Sequence, residues 1–143
     1  MRTLDVAEVD TVVNYLGLAR LLQGDGHYLV AWIGKRPVAH AYLALSEPPH
    51  LQDLEVDPEF RRRGIARELV SAVEAEAVLR GFDTLQLEVS ADDAHVQALY
   101  RSLGFRDTGR DAIVVQGTIQ IRTGPIEVDD RLLTWEKRLT DAK

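Results

Sequence analysis

Apolar residues recur along this chain with two different periods, and each change of period marks an element. Asp5 and Glu8 read as a capping box. Val9, Val13 and Leu16 follow at helical spacing with Val12 and Ala19 beside them, so a helix is predicted that Gly17 weakens. His27 to Ile33 (HYLVAWI) is aromatic and apolar enough for a strand. Gly34-Lys35-Arg36-Pro37 reads as a turn, and Val38 to Leu45 returns as a second strand, completing a hairpin. Glu47-Pro48-Pro49 breaks the chain before another strand, His50 to Val56, which Asp57-Pro58 ends. From Gly64 to Arg80 the period becomes helical. Ile65, Leu69, Val73 and Ala77 form one stripe, widened by Val70, and Gly81 closes it. Thr84 to Val89 alternates as a strand. Asp92 or Asp93 then caps a helix whose stripe is Val96, Leu99, Tyr100 and Leu103, stopped by Gly104. Ala112 to Val115, Thr118 to Ile121 and Leu132 to Leu139 read as strands, and Arg122 to Asp130, polar with Gly124-Pro125, as a loop. This succession of elements predicts an α/β domain with a mixed, mostly antiparallel sheet.

Composition narrows what such a domain can do. At 143 residues, with 45% apolar and 28% charged content, residues 1–143 read as one globular domain. Acidic residues number 23 against 17 basic, a net charge of -6, which argues against nucleic-acid or anionic-membrane partners. The absence of cysteine excludes disulfides, thiolate metal sites and a cysteine acyl-enzyme. His27, His40 and His95 have no ligand-like spacing, so no metal is expected. No apolar run approaches the roughly 20 residues of a membrane span. The opening MRTLDVAEVD has no apolar core of a signal peptide, so a cytoplasmic address is expected.

Against that acidic background, Arg61, Arg62 and Arg63 stand where a helix begins. A helix N-terminus is partially positive, and cations beside it are unfavourable by roughly 0.3–1 kcal/mol each. An anion at the spot reverses that sign. Unpaired N–H groups, a close-approach glycine and guanidinium groups together make a phosphate cradle. Without a ligand the same residues are a solvated basic turn paired with Glu59 and Glu68.

The element order, with RRRGIA after one strand and ALYRSLGF after a later one, resembles the GNAT superfamily of acyl-CoA-dependent N-acyltransferases. The likeness runs from about Val38 to Phe105, and Leu85 to Phe105 is most similar to the alanine N-acetyltransferases of ribosomal proteins. The resemblance implies a twisted sheet, flanked by helices and splayed at its central strands. It implies acetyl-CoA as co-substrate, with no metal. The pyrophosphate pattern Gln/Arg-x-x-Gly-x-Gly/Ala falls on Arg61, Gly64 and Ala66, with Arg62, Arg63 and Ile65 between. Leu54 and Val56 would pair with the pantetheine through backbone groups, and an N–H near Val56 would face the oxyanion. Asp53 and Glu55 would then point to the other face.

The resemblance also assigns chemistry. Tyr100 would protonate the departing thiolate, or else it only completes its apolar stripe. Glu88 stands at the position of the base in the alanine acetyltransferases, or is a charge on a half-exposed strand. His50 stands where other members place a base, or is a loop-edge histidine. Asp93 departs from the usual asparagine. A carboxylate only accepts hydrogen bonds, yet it can still cap the helix. The implied reaction is direct attack of a primary amine, a peptide N-terminus or a small amine, on acetyl-CoA in a ternary complex. The alternative is a non-catalytic acyl-CoA-binding or sensing domain. Arg110 to Asp130 would border the acceptor pocket, or form a surface extension or a homodimer contact.

Overall fold

A computed structural model describes residues 2–3, 26–121 and 123–139, so the helix expected from Asp5 lies outside the described residues. The strands are β1 (Arg2–Thr3), β2 (Gly26–Ile33), β3 (Arg36–Ala44), β4 (His50–Val56), β5 (Thr84–Ser90), β6 (Arg106–Asp107), β7 (Ile113–Ile121) and β8 (Gly124–Arg138). Two helices, α1 (Ile65–Leu79) and α2 (Ala94–Ser102), lie on either side of β5 in the sequence. Among the described residues the strands make one sheet in the order β1-β2-β3-β4-β5-β8-β6, with β7 paired to β8. The expected mixed, mostly antiparallel sheet is what forms.

β2 and β3 are joined by the tight turn at Gly34, whose φ of 62° suits glycine. Both faces of this hairpin are buried, which is why its sequence reads as a continuous apolar run rather than an alternation. Leu29, Ala31, Val38, Ala39, Ala41 and Leu43 join the main core, while Tyr28, Val30, Tyr42 and Ala44 form a second cluster. Helix α1 buries Leu69, Val70, Val73 and Ala77, the stripe that its sequence spacing gives, against β2 to β5. Each such large side chain stabilises by roughly 1.5–3 kcal/mol when fully buried.

The only parallel pairing among the described strands is β4 with β5, and its register has one pair, His50 opposite Gln86. The Gln86 N–H donates to the Pro49 carbonyl at 3.0 Å beside it. Beyond that bridge the two strands part. β5 stays paired along its other edge, from Thr84 opposite Arg138 to Ser90 opposite Leu132. The sheet is therefore split at its middle while each half remains hydrogen-bonded.

The expected loop at 122–130 is corrected: β8 begins at Gly124 and runs unbroken to Arg138. β7 likewise continues through Gly117, where two separate strands were expected. The polar residues here alternate rather than cluster. Glu127 and Asp129 stand on one face, where they accept hydrogen bonds from Thr118 and Gln116 across the ladder. Ile126 and Val128 occupy the other face. Gly124 and Pro125 start the strand, a position where proline's missing donor does little harm.

Candidate active site

The site is assembled at the split between β4 and β5. Along β5, Leu85, Leu87 and Val89 enter the main core, so Gln86, Glu88 and Ser90 face the opposite side. In β4, Leu51 enters the same core, which turns its neighbour His50 towards Glu88. The two meet with His50 Nε2 3.1 Å from Glu88 Oε2, at the pairing from which the strands diverge. The sequence left Glu88 and His50 as alternative bases; the structure makes them one pair.

The rest of the imidazole is also held. His50 Nδ1 lies 3.1 Å from the Pro48 carbonyl and 3.1 Å from Ser46 Oγ, and Ser46 itself donates to the Pro48 carbonyl at 2.8 Å. A carbonyl only accepts, so Nδ1 carries a proton. The Nε2 edge facing a carboxylate then favours a second proton. The hydrogen bond to Glu88 is the largest influence raising the His50 pKa, with partial burial and Arg110 opposing it. Ser46 and Pro48 were missed in the sequence as partners of this site, whereas Arg110 opens the segment that the resemblance sets beside an acceptor pocket. Only the prolines preceding His50 hinted at a constrained approach.

On the same side of the sheet as Gln86, a cleft of about 490 Å³ is lined by Glu47, Pro48, Asp83, Gln86, Arg110 and Glu136, among others. Gln86 Nε2 donates to Glu136 Oε1 at 2.8 Å in its wall.

At the start of α1 the chain is built to leave amides bare. Gly64 is the N-cap with φ 77°, and no side chain caps the helix. The first backbone bond of the helix runs from Glu68 N–H to the Gly64 carbonyl at 3.1 Å, so the amides of Ile65, Ala66 and Arg67 have no acceptor within the helix. A Cβ at Gly64 would meet nothing within 4 Å; the space in front of it is open, and glycine is needed there for its backbone angle. Arg62 is also left-handed, at φ 67°.

The three arginines diverge. Arg61 Nε donates to the Val56 carbonyl at 3.0 Å and Nη2 to Glu55 at 3.2 Å, so this side chain ties the loop to the end of β4. Arg63 stacks over the Phe60 ring at 5.1 Å. Arg62 is exposed. The acidic partner of Arg61 is Glu55; Glu59 lies 3.6 Å from Arg36 instead. Bare helix amides with exposed cations around them fit a diphosphate. Leu54 is half-buried against the core, and Val56, paired with Ala39, is within it.

Tyr100 sits on the buried face of α2, 8% exposed, edge-on to Phe105 at 5.8 Å between ring centres. Its hydroxyl makes no hydrogen bond among the described residues, and burial pushes its pKa up to about 12. Asp93 is the N-cap of α2 and accepts from the Val96 N–H at 3.1 Å, so its carboxylate acts as the cap. Gln97 Nε2 secures the same corner by donating to the Ser90 and Ala91 carbonyls at 2.8 and 3.2 Å. Among the described residues no cluster of three His, Asp or Glu side chains could hold a metal, and no helix is long and apolar enough to cross a membrane.

A sheet parted between two parallel strands, with an uncapped helix N-terminus following the first of them, defines a class. The chain belongs to the acetyltransferase (GNAT) family, whose family model matches residues 5–105. Over 57 residues it is 47% identical to the ribosomal protein bS18-alanine N-acetyltransferase of Salmonella typhimurium, a match covering 40% of this chain and 38% of that relative. The Escherichia coli enzyme of the same name is 44% identical over 57 residues, again 38% of its length. The crystal structure of the ribosomal-protein-S18-alanine N-acetyltransferase from Escherichia coli superposes with a TM-score of 0.70 at 21% identity, covering 99% of this chain and 94% of that one. An aminoglycoside 6'-N-acetyltransferase complexed with coenzyme A gives 0.64 at 17% identity, covering 85% of this chain and 77% of that one. At these identities the two structures share the fold with this chain.

Proposed function

We propose that the protein is a cytoplasmic N-acetyltransferase that moves the acetyl group of acetyl-CoA directly to a primary amine, a peptide N-terminus or a small cationic amine. The observation that carries this reading is the His50–Glu88 pair at the point where β4 and β5 part. The bare amides of Ile65, Ala66 and Arg67, with Arg62 and Arg63 beside them, would hold the diphosphate of the co-substrate. The backbone edge of β4 from Leu54 to Val56 would lie along the pantetheine.

An alkylammonium must lose a proton before it can attack. The proton passes through the Glu88 carboxylate to Nε2 of the singly protonated His50, whose one free lone pair faces that carboxylate, and Glu88 then stabilises the imidazolium that results. The amine then adds to the thioester carbonyl, the C–S bond breaks, the sulfur leaves with a proton from the Tyr100 hydroxyl, and the second proton shed by the nitrogen as the amide forms returns through solvent to the tyrosinate. With its pKa at about 12, that phenol is fully protonated at neutral pH, as a donor must be. Positioning supplies much of the acceleration, because a thioester is already activated.

The test is incubation with acetyl-CoA and two panels, peptides differing at their N-terminal residue and small amines, read by product mass spectrometry. Acetylated product in either panel supports the reading and names the acceptor class. Binding of acetyl-CoA without turnover in any member would reduce the protein to an acyl-CoA sensor.

A further inference from the structure

The ladder between β3 and β4 slips by one residue. His40 pairs with Glu55 and Tyr42 with Gln52, so two steps along β3 match three along β4. The surplus falls at Asp53 and Leu54, and Asp53 has φ 48°, a left-handed angle that side chains other than glycine adopt at a cost. The slip has a consequence for every residue after it. Leu51 and Val56 both enter the main core although strict alternation would send them to opposite faces. Without the extra residue, Val56 would point out and Glu55 in.

A glycine would hold this backbone more readily, yet the chain has an aspartate and uses it. Asp53 Oδ2 accepts from the Tyr28 hydroxyl at 2.6 Å, and His40 Nδ1 lies 3.6 Å away. Tyr28 stands edge-on to Tyr42 at 4.9 Å and to His40 at 5.7 Å. Tyr28 is 2% exposed, and His40 and Tyr42 are fully buried, so packing surrounds the anchor. Burial lowers the His40 pKa, with the carboxylates of Asp53 and Glu55 opposing that shift.

We propose that Asp53, clamped by Tyr28, is a positioning residue for coenzyme A: from the far face of the sheet it fixes the turn of β4 that presents residues 54 to 56 to the ligand. The same turn places the Val56 carbonyl and Glu55, both of which hold Arg61 at the entrance to the diphosphate cradle. The clamp therefore governs two contact regions while touching neither ligand nor reacting atoms. The inference rests on the coenzyme A site proposed above.

Calorimetry with coenzyme A on the purified protein tests it, together with thermal melts of each variant. Asp53→Gly suits the left-handed backbone but removes the acceptor. Its melting temperature should be retained while affinity falls about tenfold. Tyr28→Phe removes only the donor and should weaken affinity to a similar degree. Asp53→Asn keeps an acceptor oxygen and tolerates a left-handed angle, so its affinity should stay within about threefold of wild type. Wild-type affinity in folded Asp53→Gly and Tyr28→Phe overturns the proposal. So does loss of the fold in all three variants, since Asp53 would then be a purely structural residue. Wild-type protein that fails to bind coenzyme A would instead sink the functional reading beneath it.

Discussion

Glu88→Gln isolates the contribution of one carboxylate to the chemistry. The substitution keeps the shape and removes the charge that faces His50 across 3.1 Å. Both side chains are about one-fifth exposed, at 20% and 23%, so solvent screens the pair only in part. A charge-assisted hydrogen bond of this kind is worth about 1.5–3 kcal/mol. If it acts on the imidazolium formed as the amine gives up its proton, kcat should fall by roughly 10- to 150-fold, at about 1.4 kcal/mol per tenfold. The pH profile carries a second signature. His50 must be deprotonated at Nε2 to act as base, and its pKa is raised above 6.5 chiefly by Glu88. The acidic limb of kcat/KM should therefore move to lower pH in the variant.

Stability should respond with a fixed sign. A histidine whose folded pKa exceeds its unfolded value stabilises fully below that unfolded value, 6.5 here, and the gain is lost as pH rises through the folded pKa. The melting-temperature deficit of Glu88→Gln should thus be largest below pH 6.5 and shrink above the folded pKa. The assay is thiol release from acetyl-CoA with the acceptor found by the amine screen, run across pH beside thermal melts. A kcat within twofold of wild type, with an unmoved acidic limb, would refute the pairing as the source of basicity.

Three further outcomes follow from the same geometry. Tyr100→Phe should lower kcat by about 10²- to 10⁴-fold, the usual worth of a positioned acid, while thermal melts stay near wild type because the lost hydroxyl holds no hydrogen bond among the described residues. Arg62→Glu with Arg63→Glu should weaken acetyl-CoA binding at least tenfold by calorimetry and leave urea unfolding nearly unchanged, since both residues are exposed. Leu69→Ala, in the fully buried stripe of α1, should cost about 2–5 kcal/mol in chemical denaturation.

What could be read without coordinates was whatever depends on local period and local chemistry. α1 and α2 were legible because their stripes repeat at helical spacing and end at Gly81 and Gly104. β4 was legible because proline residues bracket it. The arm of β7 and β8 was not, because the polar residues at its turn hide an alternation that only Ile126 and Val128 mark. The site divided in the same way. A motif drew Arg61, Gly64 and Ala66 together at the turn into α1, but it could not show that Arg61 folds back on Val56 and Glu55. His50 and Glu88 lie far apart in sequence, and only the register of a single parallel pair makes them neighbours. The slip at Asp53 was invisible for a related reason. A bulge is a mismatch between two strands, and neither strand's own pattern records it.

The arm has a practical consequence for handling the protein. Val114 is 61% exposed, with Ile113, Ile119 and Ile126 all above 40% or at it, and β7 from Ile113 to Ile121 carries no charged residue and no proline. Such a margin lacks the lysines and kinks with which natural sheets discourage edge-to-edge growth. The net charge of -6 supplies a general repulsion, and added salt screens it within about 10 Å at 0.1 M. Concentrated stocks should accordingly stay clearest in dilute buffer and turn turbid as salt is raised, and a single lysine at Val114 should move that onset to higher salt.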